Sequence, residues 1–146
     1  MMIKTESAYK KALEKLEEDR QFIAKQRKSL EELGLTEEQI EKALQPSISF
    51  HEQLKEEVAY YESVRKGDFE TITNLHDLGK TLLAYRIYIG MTQQELAERL
   101  GVSPSQVSRD ERNEYYGATV ERIQQVMEAM GMVAKTEIQS NKAQMA

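Results

Sequence analysis

Cysteine and tryptophan are absent from this sequence. Without cysteine there is no disulfide framework, no thiolate nucleophile and no sulfur ligand for zinc. Histidine is nearly absent too: only His51 and His76 occur, 25 positions apart and in no metal-ligand spacing, so no metal and no cofactor is expected. Nor is there a glycine-rich phosphate loop or a GxSxG nucleophile setting, and the sequence is not expected to be an enzyme. No apolar run approaches the roughly 20 residues of a membrane span. The opening MMIKTESAYKK lacks an apolar signal core, so no membrane is expected as a partner and a cytoplasmic location is. Proline is also scarce. Pro46 and Pro104 both fall where helices are expected to start or stop, and the reading is an almost entirely helical protein.

What is present is charge. Charged residues make up 31% of the 146 positions and the net charge is −5, a balance suited to long solvated helices. The runs LEKLEED and HEQLKEE place acidic residues on helix surfaces beside i,i+4 partners rather than in a catalytic pair.

In chain order, residues 5 to 33 read as one long helix. Tyr9, Leu16, Ile23 and Leu30 recur every seven residues, with Leu13 beginning a second seam that Arg20 and Arg27 then interrupt. Gly34 stops it. Leu35 to Leu44 reads as a short second helix, capped by Thr36 with Gln39 and stapled by Leu35 on Ile40, and Pro46 ends it. Ser49 with Glu52 starts a third, with Phe50, Leu54, Val58, Tyr61 and Val64 as its apolar positions, closed by Gly67. The third helix is expected to be much shorter than the first, so the stripe around Tyr9, Leu13 and Leu16 is left to fold back within the hairpin, to join a second copy or to dock a different protein. Residues 68–74, DFETITN, are the expected linker. A helix with Leu75, Leu78, Leu82, Tyr85 and Ile89 follows, ended by Gly90.

The most informative stretch is TQQELAERLGVSPSQVSRDER, Thr92 to Arg112. Thr92 and Glu95 make a helix start, Leu96, Ala97 and Leu100 an apolar face, and Gly101 a left-handed stop. Ser103 caps the next helix and Pro104 occupies its first position, where no N–H is needed. Val107 points inward. Ser105, Gln106, Ser108, Arg109 and Arg112 are left facing out, and Gln93 and Gln94 open the preceding helix. Serine and glutamine can exchange hydrogen bonds with base edges, and arginine can grip guanine twice. Two short helices across a glycine-containing turn make a helix-turn-helix. Beyond it, NEYYGA is a loop that either exposes Tyr115 and Tyr116 or packs one of them underneath. Thr119 caps a last helix whose buried stripe is Val120, Ile123, Val126, Met127 and Met130. Met132 to Ile138 alternates weakly, as a short strand or frayed helix, and 139–146 reads as a disordered tail.

The words LLAYRIYIG, GMTQQELA, LGVS and the RDE ending occur together here, and residues of about 78 to 131 resemble the lambda-repressor/Cro-type (XRE) helix-turn-helix family. The fold expected is all-α: an N-terminal long-helix hairpin or coiled coil over 1–67, the 68–74 linker, and a lambda-repressor-like domain over 75–138. The resemblance implies that Gln93 touches phosphate and braces the recognition helix, that Pro104, Ser105 and Arg109 read bases beside Gln106, and that Arg112 meets the backbone. It lays the tyrosine loop along phosphates and pairs Arg86 with Glu111 structurally. Pro104 departs from the glutamine often found at its position and cannot donate, which shifts base reading to Ser105 and Arg109.

Double-stranded DNA and a second copy of the chain are the partners this implies, in a dimeric transcriptional repressor. The long helical arm also resembles antitoxins, for which a basic toxin protein would be the partner. The charge balance tempers the DNA reading. From Asp77 to Gly131 there are six basic and eight acidic residues, so non-specific attraction to phosphate is expected to be modest.

Overall fold

A computed structural model describes residues 2–142. Its elements are α1 (Glu6–Glu32), α2 (Glu37–Arg65), a single 3-10 turn (Leu75–Asp77), α3 (Leu78–Tyr88), α4 (Gln93–Leu100), α5 (Pro104–Arg112) and α6 (Val120–Met130). The protein is all-α, with no strand among the described residues. Met132 to Ile138 is neither strand nor helix, and Ile138 is 93% exposed. Alternation without a neighbouring strand or an apolar surface to lie on gives that segment nothing to pair with. The tail expected over 139–146 lies partly outside the described residues.

The hairpin differs from the sequence expectation in one respect with consequences. The two helices expected on either side of Pro46 are a single 29-residue helix, with Pro46 inside it and exposed. Proline removes one backbone donor and crowds the carbonyl four residues before it. The helix continues because Ile40 and Leu44 on one side of Pro46, and Val58, Tyr61 and Val64 on the other, are buried along one surface. Packing outweighs the local penalty, and Ser49 is a mid-helix residue whose hydroxyl accepts from the Gln45 amide at 3.1 Å. The expected start is correct: Thr36 and Gln39 form the reciprocal capping box.

One long helix also changes the length argument. At 1.5 Å per residue, α1 spans about 40 Å and α2 about 44 Å, so α2 runs the whole length of α1. Tyr9 stacks on Tyr61 with ring centroids 4.8 Å apart, and its hydroxyl donates to Glu62 at 2.6 Å. Leu16 is half-buried and Leu13 is 41% exposed. The stripe that a shorter partner would have left bare is therefore largely covered from within the chain.

α3 is buried on two faces. Leu82 faces a core with Met91, Leu96, Val107, Tyr115, Val126, Met127 and Met130. Leu83, Ala84 and Ile87 face a second cluster with Ile3, Ala12, Val58, Tyr61 and Val64 from the hairpin. The sequence stripe captured only the first face. Two ends of it were misplaced: Leu75 lies in the 3-10 turn and is 72% exposed, and Ile89 is 37% exposed. Val120, expected in the buried stripe of α6, is the first residue of that helix and 78% exposed. Between the two parts, Phe69 sets its ring edge-on against Tyr88 and tilted against Tyr85.

Candidate nucleic-acid interface

The two helices of the central motif start and stop as their residues require. Thr92 Oγ1 accepts from the Glu95 N–H at 3.1 Å, and Gly101 ends α4 at φ 71°. That left-handed conformation is open to glycine without a Cβ penalty. Ser103 Oγ accepts from the Gln106 N–H at 3.2 Å, with Pro104 opening α5. Leu96 and Ala97 from α4 and Val107 from α5 are fully buried, so each helix has one face fixed in the core and one left over.

The leftover face of α5 carries Pro104, Ser105, Arg109 and Arg112, all exposed, with Gln106 and Ser108 half-buried beside them. Ser105, Arg109 and Arg112 follow at spacings of four and three and form one stripe along the helix. The Ser103 and Ser105 hydroxyls lie 3.1 Å apart. Arg109 Nη2 donates to Gln106 Oε1 at 3.0 Å, Gln106 Nε2 donates to Asp110 Oδ1 at 2.9 Å, and Arg122 from α6 donates to Asp110 Oδ2 at 3.2 Å. Gln106 is thus held in a chain rather than standing free, and it in turn holds Arg109. The Gln106–Asp110 step is an i,i+4 spacing visible in sequence. The Arg122 anchor is not, because it comes from another helix.

Gln93 and Gln94, adjacent in sequence, part company in the fold. Gln93 is half-buried and its Nε2 donates to Glu111 Oε1 at 2.7 Å, whereas Gln94 is exposed. Glu111 lies on the inner face of α5 and is 1% exposed. Arg86 meets it with two parallel bonds, Nε to Oε2 at 2.6 Å and Nη2 to Oε1 at 3.0 Å. A bidentate pair fixes orientation as well as distance. Arg86 also donates to the Met91 carbonyl at 2.8 Å and to the Lys4 carbonyl at 2.9 Å. The Arg86–Glu111 pair expected from the resemblance is present, and the Lys4 contact had no counterpart in the sequence reading.

The two loop tyrosines also separate. Tyr115 is 6% exposed and belongs to the core under α5, not to an exposed loop surface. Burial pushes its phenol well above the ordinary tyrosine range, with Glu111 and Asp110 adding to the effect. Of the two places open to the loop tyrosines, Tyr115 takes the one beneath the loop. Its neighbours explain why: Glu114 and Tyr115 both adopt positive φ, 54° and 57°, which turns the Tyr115 ring inward. α3 fits against this turn through Gly79, where an added Cβ would lie 1.7 Å from the Glu114 carbonyl oxygen. Tyr116 is 57% exposed, edge-on to His76. A hydrogen bond with Glu114 raises its pKa above the usual value.

The hairpin does not reach the α5 stripe. It packs on α3, through Leu83, Ala84 and Ile87. Among the described residues no group of acidic or histidine side chains is arranged to hold a metal ion, and no helix is long and apolar enough to cross a membrane.

A helix-turn-helix family model matches residues 82–138. Comparison with curated proteins and with solved structures returns no match. The matched segment runs from Leu82 in α3 past the end of α6 and contains both helices of the motif with the Arg86–Glu111 pair that ties α5 to α3. Residues 82–138 belong to the helix-turn-helix family in its lambda-repressor/Cro (XRE) form, the domain of DNA-binding regulators.

Proposed function

We propose that this protein is a sequence-specific transcriptional repressor that reads a two-fold operator as a dimer, with α5 in the major groove. In this reading residues 75–138 are the reader, residues 1–67 the arm that brings two readers together, and 68–74 the joint. One observation carries it: the outer stripe of α5, Ser105, Arg109 and Arg112, is exposed while the arm packs on a different helix, α3. Arg109 is the principal base contact, with Ser105 beside it. Gln106 serves chiefly to aim Arg109, Gln93 braces α5 through Glu111, and Gln94, Arg112 and Tyr116 meet phosphates. Pro104 shapes the start of the helix and can offer a base only an apolar contact.

The energetics require two copies. Each good base contact contributes roughly 1–3 kcal/mol of discrimination, and one short helix presents few of them. With a near-neutral to acidic reader, phosphate attraction adds little. Two readers on one face of the duplex stand about 34 Å apart, one helical turn. Selection of bound sites from random DNA, followed by the mass of the complex in solution, tests the proposal. The expected result is an inverted repeat with half-sites 10–10.5 base pairs apart, or a multiple of that, bound by two chains. Failure to enrich any sequence would remove it.

A second reading has its own support. The hairpin keeps a groove lined by Phe22, Ile23, Phe50 and Leu54, with Lys15 and Asp19 at its edge. Phe22 is 54% and Phe50 72% exposed. Two large neighbouring aromatics left bare mark a protein-binding surface more than scattered surface residues do. A second copy is the occupant the operator reading needs. The antitoxin reading instead seats a small basic toxin there, with the reader regulating the pair's own operon. Co-expression with the product of an adjacent gene separates them: a stable mixed assembly, lost in Phe50→Asp, favours the antitoxin.

A further inference from the structure

The contact between Lys4 and Arg86 joins the beginning of the chain to the inside of the reader. Arg86 is 2% exposed and Glu111 1%. A buried guanidinium is tolerated when each of its nitrogens has a partner and its charge is met. Here Nε and Nη2 serve Glu111, Nη1 serves the Met91 carbonyl, and Nη2 also serves the Lys4 carbonyl. The fourth acceptor therefore comes from a residue 82 positions away, outside the matched helix-turn-helix segment.

The segment that supplies it is held on both sides. Ile3 is 7% exposed and packs in the cluster formed by Val64, Tyr61, Leu83 and Ile87. Thr5 caps α1 by accepting from the Ala8 N–H at 3.1 Å. Glu6 accepts from the Tyr61 hydroxyl at 3.2 Å and sits 3.6 Å from Arg65. Between these anchors the Lys4 carbonyl points at Arg86. From there the bonds run to Glu111 on α5 and on to Gln93 on α4. One connected chain thus links the N-terminal segment, α3, α5 and α4.

We propose that Met2 to Lys4 form a strap that positions the DNA-reading helix: they close the open edge of Arg86 and so fix Glu111, and with it the rotation of α5 in the reader. This rests on α5 being the DNA-reading helix. The strap makes the arm and the reader one mechanical unit, so anything that shifts the start of α1 is felt at Ser105 and Arg109. Residues 3 and 4 are positioning residues and touch no base.

Two variants test it, Ile3→Asp, which expels the strap from its apolar seat, and a chain lacking residues 2–4, with Ile3→Val as the conservative control. The first readout needs no DNA: exchange with solvent of the Arg86 Nη2–H that donates to the Lys4 carbonyl, followed by NMR in the full-length protein. Exchange about tenfold or more faster is expected in Ile3→Asp and in the deletion, on the scale of one lost hydrogen bond to a charged group, and wild-type protection in Ile3→Val. The second is the ratio of affinity for the selected site to affinity for scrambled DNA of equal length. It is expected to fall about tenfold in both disruptive variants while binding to scrambled DNA stays within about twofold.

A strap with a merely structural role would lower thermal stability and leave that ratio unchanged, and this outcome overturns the proposal. Unchanged Nη2–H exchange overturns it as well, even if the wild-type protein selects no DNA sequence, a result that would instead strike the repressor reading. If Ile3→Asp does not fold, the deletion, with Thr5 still capping α1, decides.

Discussion

At the scale of residues, the reader separates side chains that face outward from those that hold them. Arg109 is exposed and aimed by Gln106, so Arg109→Ala is expected to lose about 1–3 kcal/mol on the selected site and to relax preference at one base position. Repeating the site selection with the variant checks this, and an unchanged preference would exclude Arg109 from base reading. Arg86→Ala belongs to a different class. It strands the Glu111 carboxylate at 1% exposure and should destabilise the fold by about 3–5 kcal/mol, measured by denaturant unfolding. Tyr115→Phe should leave DNA affinity within about twofold, because the ring is core and its packing is kept. A larger loss in a binding titration would return the Tyr115 hydroxyl to the interface. The Arg86–Glu111 pairing was legible from the resemblance. The fates of Tyr115 and Tyr116, adjacent and identical in sequence, were not, since the two positive-φ residues that send one ring inward leave no mark in residue type.

At the scale of elements, α2 and α3 show where local rules yield. A proline inside a sequence of helix formers reads as a stop, and α2 passes through Pro46 because buried side chains on both sides commit it to one straight surface. The penalty remains in the helix. Pro46→Ala is expected to stabilise the protein by about 2 kcal/mol, from roughly 3 kcal/mol of helix propensity less up to about 1 for the added freedom of the unfolded chain. Thermal unfolding checks it, and a fall in stability would mean that Pro46 serves a local geometry. In α3 the constraint is a close approach. Gly79→Ala would drive a methyl group into the Glu114 backbone, which cannot swing aside as a side chain can. We expect a loss of about 1–3 kcal/mol together with weaker DNA binding, as the loop under α5 is displaced. The run LLAYRI, apolar nearly all round, carried the hint that α3 is buried on two faces, and a stripe with a single period passes over it.

At the scale of the molecule, the arm and the reader share α3, so the hairpin is not an appendage hung on a free joint. Leu83, Ala84 and Ile87 face the arm while Leu82 faces the reader. Phe69 from the connecting segment packs on Tyr85 and Tyr88. If two copies join through the hairpin groove, Phe22→Asp with Phe50→Asp is expected to shift the protein to monomer and weaken operator binding at least about tenfold, while each reader keeps its fold. Sedimentation and a binding titration at equal salt measure both. A variant that stays dimeric would move the interface elsewhere.

The sequence by itself determined the helical class, the helix starts at Thr36, Thr92, Ser103 and Thr119, the glycine stops, and which face of α5 is left outward. Each of these is a local consequence of a hydroxyl, a missing Cβ or a spacing of three and four. Only the tertiary structure decided that Pro46 lies within a helix, that Tyr115 turns inward, that Arg122 anchors the chain aiming Arg109, and that the Lys4 carbonyl joins the acceptors around Arg86. Those outcomes depend on groups brought together from distant parts of the chain, whose combined burial and hydrogen bonding outweigh what any one segment prefers alone.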